Sequence, residues 1–331
     1  MAAARSDASA EPAAQRRRGW QGEPAGEVAV RLAHRYLDAA GEAAGRVLAD
    51  SDPEALHDFR VALRRLRSVL RAYRSCLRKP SKKLRRQIKR VVRATGAGRD
   101  AEVFLAWLDT QSSLSAEERA ASEWLRKRLV AVRDEAYEKL RTHVLTDFTG
   151  LAQQLHRALA VRRSRASYGE VMAEHVRAQT ARLAADLARV HSEADAEAIH
   201  DARIQGKRLR YLIEPASPRL PGARTAVKQL KAFQDETGAL CDGFVRRRLL
   251  AQQAAAAGAQ QAREAIENVH GERSNIPESG DVVPGLLRLA QRSERQLRQQ
   301  FQRFQRRYLE ARSGRLIDPF MRLERRLAVT D

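Results

Sequence analysis

The sequence predicts an all-α protein, built as two pseudo-symmetric antiparallel helical bundles that arise from an internal duplication. Three observations point there. Apolar residues recur at helical spacing along most of the chain, and no segment shows the sustained alternation a strand requires. The composition agrees, with 43% hydrophobic and only 5% aromatic residues in 331, and with Ala, Leu, Arg, Gln and Glu dominant, a set rich in strong helix formers. Two stretches also repeat each other, LHDFRVALRRLRSVLRAY at 56–73 and IHDARIQGKRLRYLI at 199–213. In register, His57 matches His200, Asp58 matches Asp201, Arg60 matches Arg203, Arg64-Arg65 match Lys207-Arg208 and Arg67 matches Arg210. Each pair lies 143 positions apart.

The elements follow in order. Residues 1–22 hold Ala, Ser, Pro and the run Arg16-Arg17-Arg18. They lack the apolar stretch of a secretion signal and are expected to be a disordered basic tail. The first bundle is placed at 23–163, the second at 164–320 and a short tail at 321–331. An amphipathic Ala-rich helix over 25–49 precedes the first motif, and one over 168–191 precedes the second. Asp52-Pro53-Glu54-Ala55 and Asp195-Ala196-Glu197-Ala198 lead into the motifs. Asp at the cap with Pro at the first helical position is a strong helix start, which puts His57 in the second turn. Residues 82–100 line up with 225–242, so that Thr95-Gly96 meets Thr237-Gly238 and Asp100 meets Asp242. Each is expected to be a helix ended by Gly, where a left-handed residue costs least, with the Asp capping the next helix. Residues 115–145 read as one long charged helix. Residues 285–311 read as another, ending in a seam of Phe301, Phe304 and Tyr308. Breaks fall at Pro80, around 162–167, from Pro215 to Pro221 and over 271–284.

Charge narrows the function. With 62 Lys+Arg against 41 Asp+Glu, the formal net charge is +21. That excess repels itself in a compact state and calls for a neutralising partner. No apolar run approaches the roughly 18 residues of a membrane span. Cys76 and Cys241 are too isolated for a zinc site or a disulfide framework, so a cytoplasmic location, with no metal and no cofactor, is the expectation.

The repeated helix carries two seams. At about 100° per residue, His57, Arg60, Arg64, Arg67 and Arg71 share an arc of roughly 80°. Phe59, Leu63, Leu66, Leu70 and Tyr73 occupy the adjacent arc. The second copy sets His200, Arg203, Lys207 and Arg210 beside Ile199, Leu209 and Ile213, with Glu214 in place of the last cation and Gly206 in place of a core residue. Arg65 and Arg208 lie on the far side of each His, where they either widen the strip or face water. The following helix adds Lys82, Arg86, Lys89 and Arg93 on one face, and its sparser counterpart carries Arg224, Lys228 and Lys231. Arginine offers a planar fork to phosphate oxygens and stays charged at any working pH. A row of cations about one helical turn apart suits an extended chain of charge. A charged helix face is usually solvated surface, and duplication of the stripe together with its histidine favours a binding role over that alternative. Asp58 and Asp201 are expected to pair with arginines rather than to act as acids.

At these residues the chain resembles the conserved histidine α-helical domain family, abbreviated CHAD. The resemblance runs through DPEALHDFRVALRRLRS, TGAGRDAEVF, IHDARIQGKRLRY and QDETGALCDGF, and through Asp318-Pro319-Phe320 after the final helix, covering roughly 25–320. It implies two pseudo-symmetric helical bundles with a basic central cleft that binds inorganic polyphosphate, in proteins that associate with polyphosphate granules in bacteria. It also implies that His57, Arg60, Arg64, Arg65 and Arg67, with His200, Arg203, Lys207, Arg208 and Arg210, line that cleft. Gly206 weakens its helix by about 1 kcal/mol relative to Ala and Pro215 ends it early, so the second half departs from the pattern. Some members carry a triphosphate-hydrolysing domain ahead of this one, which the short tail before residue 25 does not supply.

The leading reading is therefore a non-catalytic binding module for polyphosphate, with affinity that falls steeply with salt. Nucleic-acid binding by the same surface is the second reading, weakened by scarce aromatics for stacking on single strands. Weak binding to nucleic acid is compatible with the first reading. An enzyme acting on phosphoanhydrides is the third. Such chemistry uses metal-bound carboxylates or a phosphate-cradling Gly loop, and neither stands out.

Overall fold

The computed structural model describes residues 19–52, 54–96, 98–269, 282–309 and 313–328. The α-helices are α1 (Ala25–Leu48), α2 (Ala55–Ala72), α3 (Lys82–Ala94), α4 (Arg99–Asp109), α5 (Ala116–Leu140), α6 (Phe148–Ala158), α7 (Tyr168–Ala188), α8 (Ala196–Ile213), α9 (Ala223–Val269), α10 (Val283–Tyr308) and α11 (Ser313–Ala328). Among the described residues there is no strand, as the sequence predicts. A short 3-10 turn covers Trp20–Gly22, and the Trp20 ring packs edge-on against Tyr168 at 5.8 Å. These residues belong to the folded chain rather than to the tail expected over 1–22. Residues 1–18 lie outside the described ones. At the other end α11 runs on to Ala328 with Leu323 and Leu327 buried, so most of the expected tail from 321 is helix.

Local chemistry accounts for several boundaries. α5 starts at a capping box: Ser115 Oγ accepts the Glu118 N–H at 3.2 Å while the Glu118 carboxylate accepts the Ser115 N–H at 2.8 Å. The same box opens α7 with Ser167 and Glu170 at the same two distances. Each satisfies two N–H groups that a helix start otherwise leaves unpaired. Past Leu140 the helix expected over 115–145 widens into a π turn, Arg141–Leu145.

Four local expectations are corrected. α2 begins at Ala55, which puts His57 in its first turn. Asp195 makes no side-chain cap on α8; its carboxylate turns back to accept the His191 and Ser192 N–H groups, both at 2.8 Å, and these bonds hold its pKa down. Asp100 is the second residue of α4 and does not cap it. The helix break predicted at Gly238 does not occur: α9 runs unbroken from 223 to 269, so Thr237, Gly238 and Asp242 all sit inside it. α9 thus does alone what α3 and α4 do in the first half.

The packing ignores residue 163, where the sequence places the boundary between bundles. The larger core joins α1, α2, α3 and α6 to α7, α8, α11 and the facing ends of α9 and α10. The smaller joins α4 and α5 to the far half of α9 and the near half of α10. Phe301, Phe304 and Tyr308 close the larger core around Phe233, whose ring meets Tyr308 edge-on at 5.1 Å. Where the halves meet, equivalent residues face each other. Pro24 and Ser167, 143 positions apart, form an antiparallel bridge. It is made by the Ala25 N–H to Ala166 O at 3.1 Å and the Tyr168 N–H to Glu23 O at 2.8 Å. Antiparallel pairing of equivalent positions is what a local two-fold axis at this point requires.

Candidate functional site

The repeated helices α2 and α8 touch. Their apolar seams face inward: Phe59, Leu63, Leu66 and Tyr73 are buried on α2, and Ile199, Leu209 and Ile213 on α8. Burying these leaves the basic residues at the crossing and along its rims. Asp58 pairs with Arg46 at 2.7 Å, and Asp201 pairs with Arg189 at 3.4 Å. Both members of the second pair lie 143 residues beyond the first. As the sequence predicts, these carboxylates tie each motif helix to the helix before it.

The strongest electrostatic feature is Lys207. Burial first, then the neighbouring Arg203 and Arg64, push its pKa down to about 7; Arg210 adds to this, and Cys241 opposes it. Arg64 and Lys207 are equivalent positions, and the charge of the first acts on the second. Burial, then Arg64 and Arg99, lowers the pKa of Arg60. The side chains of Arg64, Arg203, Arg208 and Arg210 each bury their Nε donor with no acceptor within the protein. A buried guanidinium N–H without a partner carries the desolvation penalty of a charged donor.

The remaining predicted residues are distributed as follows. His57 and His200 are exposed near the starts of their helices. Arg65 donates to Glu214 at 2.8 Å, with its guanidinium 6.0 Å from the Tyr36 ring. Arg208 donates to Gln205 at 3.1 Å and lies within the fields of Arg71 and Arg182. Arg67 is exposed next to Arg71. Lys82, Arg86, Lys89 and Arg93 are exposed on α3, and Lys228 and Lys231 on α9. None of these six is among the main charges acting on Arg60, Arg67, Lys207 or Arg208. The structure groups Arg60, Arg64, Arg203, Lys207 and Arg210, sets Arg67, Arg71 and Arg208 in a second group, and leaves the α3 and α9 stripes outside both.

Sequence reasoning missed four members. Because α9 is continuous, it presents Cys241 and Asp242 to the cluster instead of ending before them. Asp242 feels Arg203, Arg246, Arg99 and Lys207, yet burial outweighs them and raises its carboxyl pKa. Burial likewise raises the Cys241 thiol. Arg246, one turn further, is buried with its guanidinium 5.3 Å from the Trp107 ring. Arg99 stands immediately before Asp100, and the Asp–Arg spacing of four at Asp242 and Arg246 was the available signal for the other pair. Gly206, a weakness on paper, has a reason here. A Cβ on it would lie 2.9 Å from the Phe233 ring, and the Gln234 side-chain amide donates to its carbonyl at 3.1 Å. Glycine lets α9 approach α8 closely enough to reach the cluster.

Two cavities of about 480 Å³ lie elsewhere. One is bordered by Gln229, Arg306, Arg307, Tyr308, Arg315 and Leu316, the other by α1, α4 and α5 residues including Asp50, Glu102 and Asp134. Neither is lined by the motif cations. We take the motif cations as the candidate site because they bring unpaired charged donors together. Among the described residues, no group of three or more His, Cys, Asp or Glu side chains is arranged to hold a metal ion. No described helix is long and apolar enough to cross a membrane.

Fold and site together define an all-helical protein that concentrates arginines and a lysine where two repeated helices cross. A family model described as the CHAD domain matches residues 31–251, and the chain belongs to that family. Among solved structures it is similar to the CHAD domain from the plant Ricinus communis, at 24% identity over 80% of this chain and 92% of that one, with a TM-score of 0.58. It is also similar to PptA from Streptomyces chartreusis, at 17% identity over 86% and 99%, with a TM-score of 0.59. At these identities the likeness establishes the fold. No curated protein matches the chain.

Proposed function

We propose that this protein binds inorganic polyphosphate without transforming it, at the α2–α8 crossing, and that it works in the cytoplasm at polyphosphate granules. One observation carries the reading: four motif arginines bury Nε donors that the protein leaves without acceptors, and three of them, Arg64, Arg203 and Arg210, act on a lysine whose charge they oppose. Each phosphate oxygen brought there relieves repulsion and accepts a charge-assisted hydrogen bond. A polymer of such groups reaches several arginines at once. His57 and His200, exposed near the starts of α2 and α8, offer further ring N–H donors. The non-catalytic reading is supported by the carboxylates. Asp58 and Asp201 are committed to arginines, and Asp242 lies where burial favours its neutral form.

The test compares long-chain polyphosphate with a length-matched DNA duplex at two salt concentrations, on the wild type and on a folded variant with Arg60, Arg64, Arg203 and Lys207 changed to Ala. Polyphosphate is expected to bind more tightly than DNA, to survive moderate salt and to lose its affinity in the variant. Equal or stronger DNA binding, or no loss in the variant, would make the basic surface generic. Release of orthophosphate from polyphosphate would overturn the non-catalytic reading.

A further inference from the structure

α3 stands apart from the rest of the basic surface. Seven of its 13 residues are Lys or Arg and none is acidic. All seven are exposed, and among the described residues none of them forms an ion pair. Leu84, Ile88 and Val91 are buried on the side that meets α6 and the π turn, so the cations spread over the other side of a helix about 20 Å long. Like charges this close repel one another. Arg90 belongs to this face and also to the wall of a cavity of about 410 Å³ between α3, the π turn and the start of α6. Gln87, His143, Asp147 and Gln154 line the same cavity. Gln87 Oε1 is buried without a hydrogen-bond partner, and the Asp147 carboxylate forms no ion pair among the described residues. Two acceptors that the protein leaves without donors, beside a dense row of cations, fit a ligand with amino groups at one place and repeated negative charge along its length.

We propose that α3 and this cavity bind single-stranded nucleic acid, with backbone phosphates along the cations and one amino-bearing base, of the cytosine type, in the cavity. A volume of about 410 Å³ falls within the roughly 300–1,000 Å³ of small-ligand sites and has room for one base and its sugar. The exocyclic amine donates to Gln87 Oε1 and to the Asp147 carboxylate, contacts that amide and carboxylate side chains make with base edges. The Gln154 amide offers an N–H to the ring nitrogen. His143 is exposed and is the one flat ring on the cavity wall, and unpaired bases stack on such rings. A duplex keeps its bases paired and reaches only the cations. Polyphosphate also reaches only the cations, because it has no amino group for the two acceptors. The site shares no residue with the α2–α8 crossing and does not rest on the reading made there.

The experiment measures fluorescence anisotropy of the intact protein with labelled oligocytidylate, oligouridylate and an abasic strand of equal length and backbone charge. Oligocytidylate is expected to bind about tenfold more tightly than the other two, the order of one good base contact. Two variants probe the cavity without touching the cations. Gln87→Ala removes the buried acceptor. Gly150 lines the cavity, and a Cβ there meets nothing within 4 Å, so Gly150→Leu fills the space without a clash. Each should erase the preference and leave the affinity for the abasic strand unchanged. Reversing charge at the exposed Arg86, Lys89 and Arg93 to Glu should abolish binding of all three strands, whereas the variant at Arg60, Arg64, Arg203 and Lys207 should keep it. Equal affinity for the three strands, or a preference that survives both cavity variants, overturns the proposal. So does strand binding that is lost in the crossing variant and kept in the α3 variant. Polyphosphate binding is read on the crossing variant, so failure here leaves that reading in place, and the reverse holds equally.

Discussion

Binding of polyphosphate should take up a proton at Lys207, and the size of the effect follows from the site. In the free protein its ammonium titrates at about 7, against a model value of 10.5, so about half the molecules carry the charge at pH 7. Phosphate oxygens beside the amine cancel the repulsion from Arg64, Arg203 and Arg210 and restore an ordinary lysine. Affinity then falls towards tenfold per pH unit above 7, reaching about 20-fold between pH 7.5 and pH 9. That window lies above the range in which free imidazole titrates, and below the Cys241 thiol, which burial raises from 9.0. The assay is titration with long-chain polyphosphate at fixed ionic strength, in buffers of differing ionisation enthalpy, on wild type and Lys207→Met. The wild type should show the slope and the proton uptake, and the variant neither. Stability carries the opposite sign. The unfolded chain binds the extra proton between pH 7 and 10.5, so wild-type stability rises with pH across that window. Lys207→Met removes the rise and stabilises the protein below pH 7 by at most roughly 5 kcal/mol. A slope that persists in Lys207→Met, or a wild type with none, would refute the assignment of the low-pKa amine.

Glu214→Lys replaces the carboxylate that pairs with Arg65. It should tighten polyphosphate binding and steepen its salt dependence by about one counterion, at a stability cost of about 1 kcal/mol or less; unchanged salt dependence would place position 214 outside the binding track. Gly206→Ala gains about 1 kcal/mol of helix propensity but drives a Cβ to 2.9 Å from Phe233. Overpacking of about 1–3 kcal/mol should win, and urea unfolding that shows net stabilisation would contradict the close-approach argument. The double variant His57→Ala/His200→Ala should weaken polyphosphate binding while keeping the slope above pH 7.5. Calorimetry showing that slope lost as well would mean that the two histidines and Lys207 do not act independently.

The helical fold and the motif seams were legible because they rest on period alone. An apolar stripe at 3.6-residue spacing has to be buried, and Phe59, Leu63, Leu66, Ile199, Leu209 and Ile213 are. The fate of the Thr-Gly pair was not legible, because the pair itself does not decide it. At the first copy Thr95 Oγ1 bonds back to Val92 O at 2.9 Å, and a second glycine, Gly98, follows. Gly98 is held against Tyr137, whose ring a Cβ would meet at 2.9 Å. The turn therefore stands on a contact with α5 that no local window contains. At the second copy Thr237 Oγ1 bonds to Phe233 O at 2.8 Å within the helix. The position of the second glycine is taken by Leu240, which is fully buried. One glycine costs a helix about 1 kcal/mol, and burying Leu240 returns more than that, so α9 continues and carries Cys241, Asp242 and Arg246 into the site.

The charge pairing at the crossing was equally hidden, because it depends on which equivalents meet. Arg65 and Glu214 form an ion pair. Their equivalents, 143 positions away, are Arg208 and Arg71, and these two also lie in each other's field. The same contact is thus attractive on one side of the crossing and repulsive on the other. A single substitution, Glu214 at the position that Arg71 holds in the first copy, accounts for the difference. On the Glu214 side the cationic track ends in a neutralised pair beside Tyr36. On the Arg71 side it runs on through Arg208 to Arg182 on α7, with the Arg208 Nε left without an acceptor. If the proposed site holds, a polyanion on Arg64, Arg203 and Arg210 should gain further contacts by extending towards α7 and none by extending towards Glu214. The duplicated motif supplies a symmetric set of cations, and one divergent residue gives the track a direction.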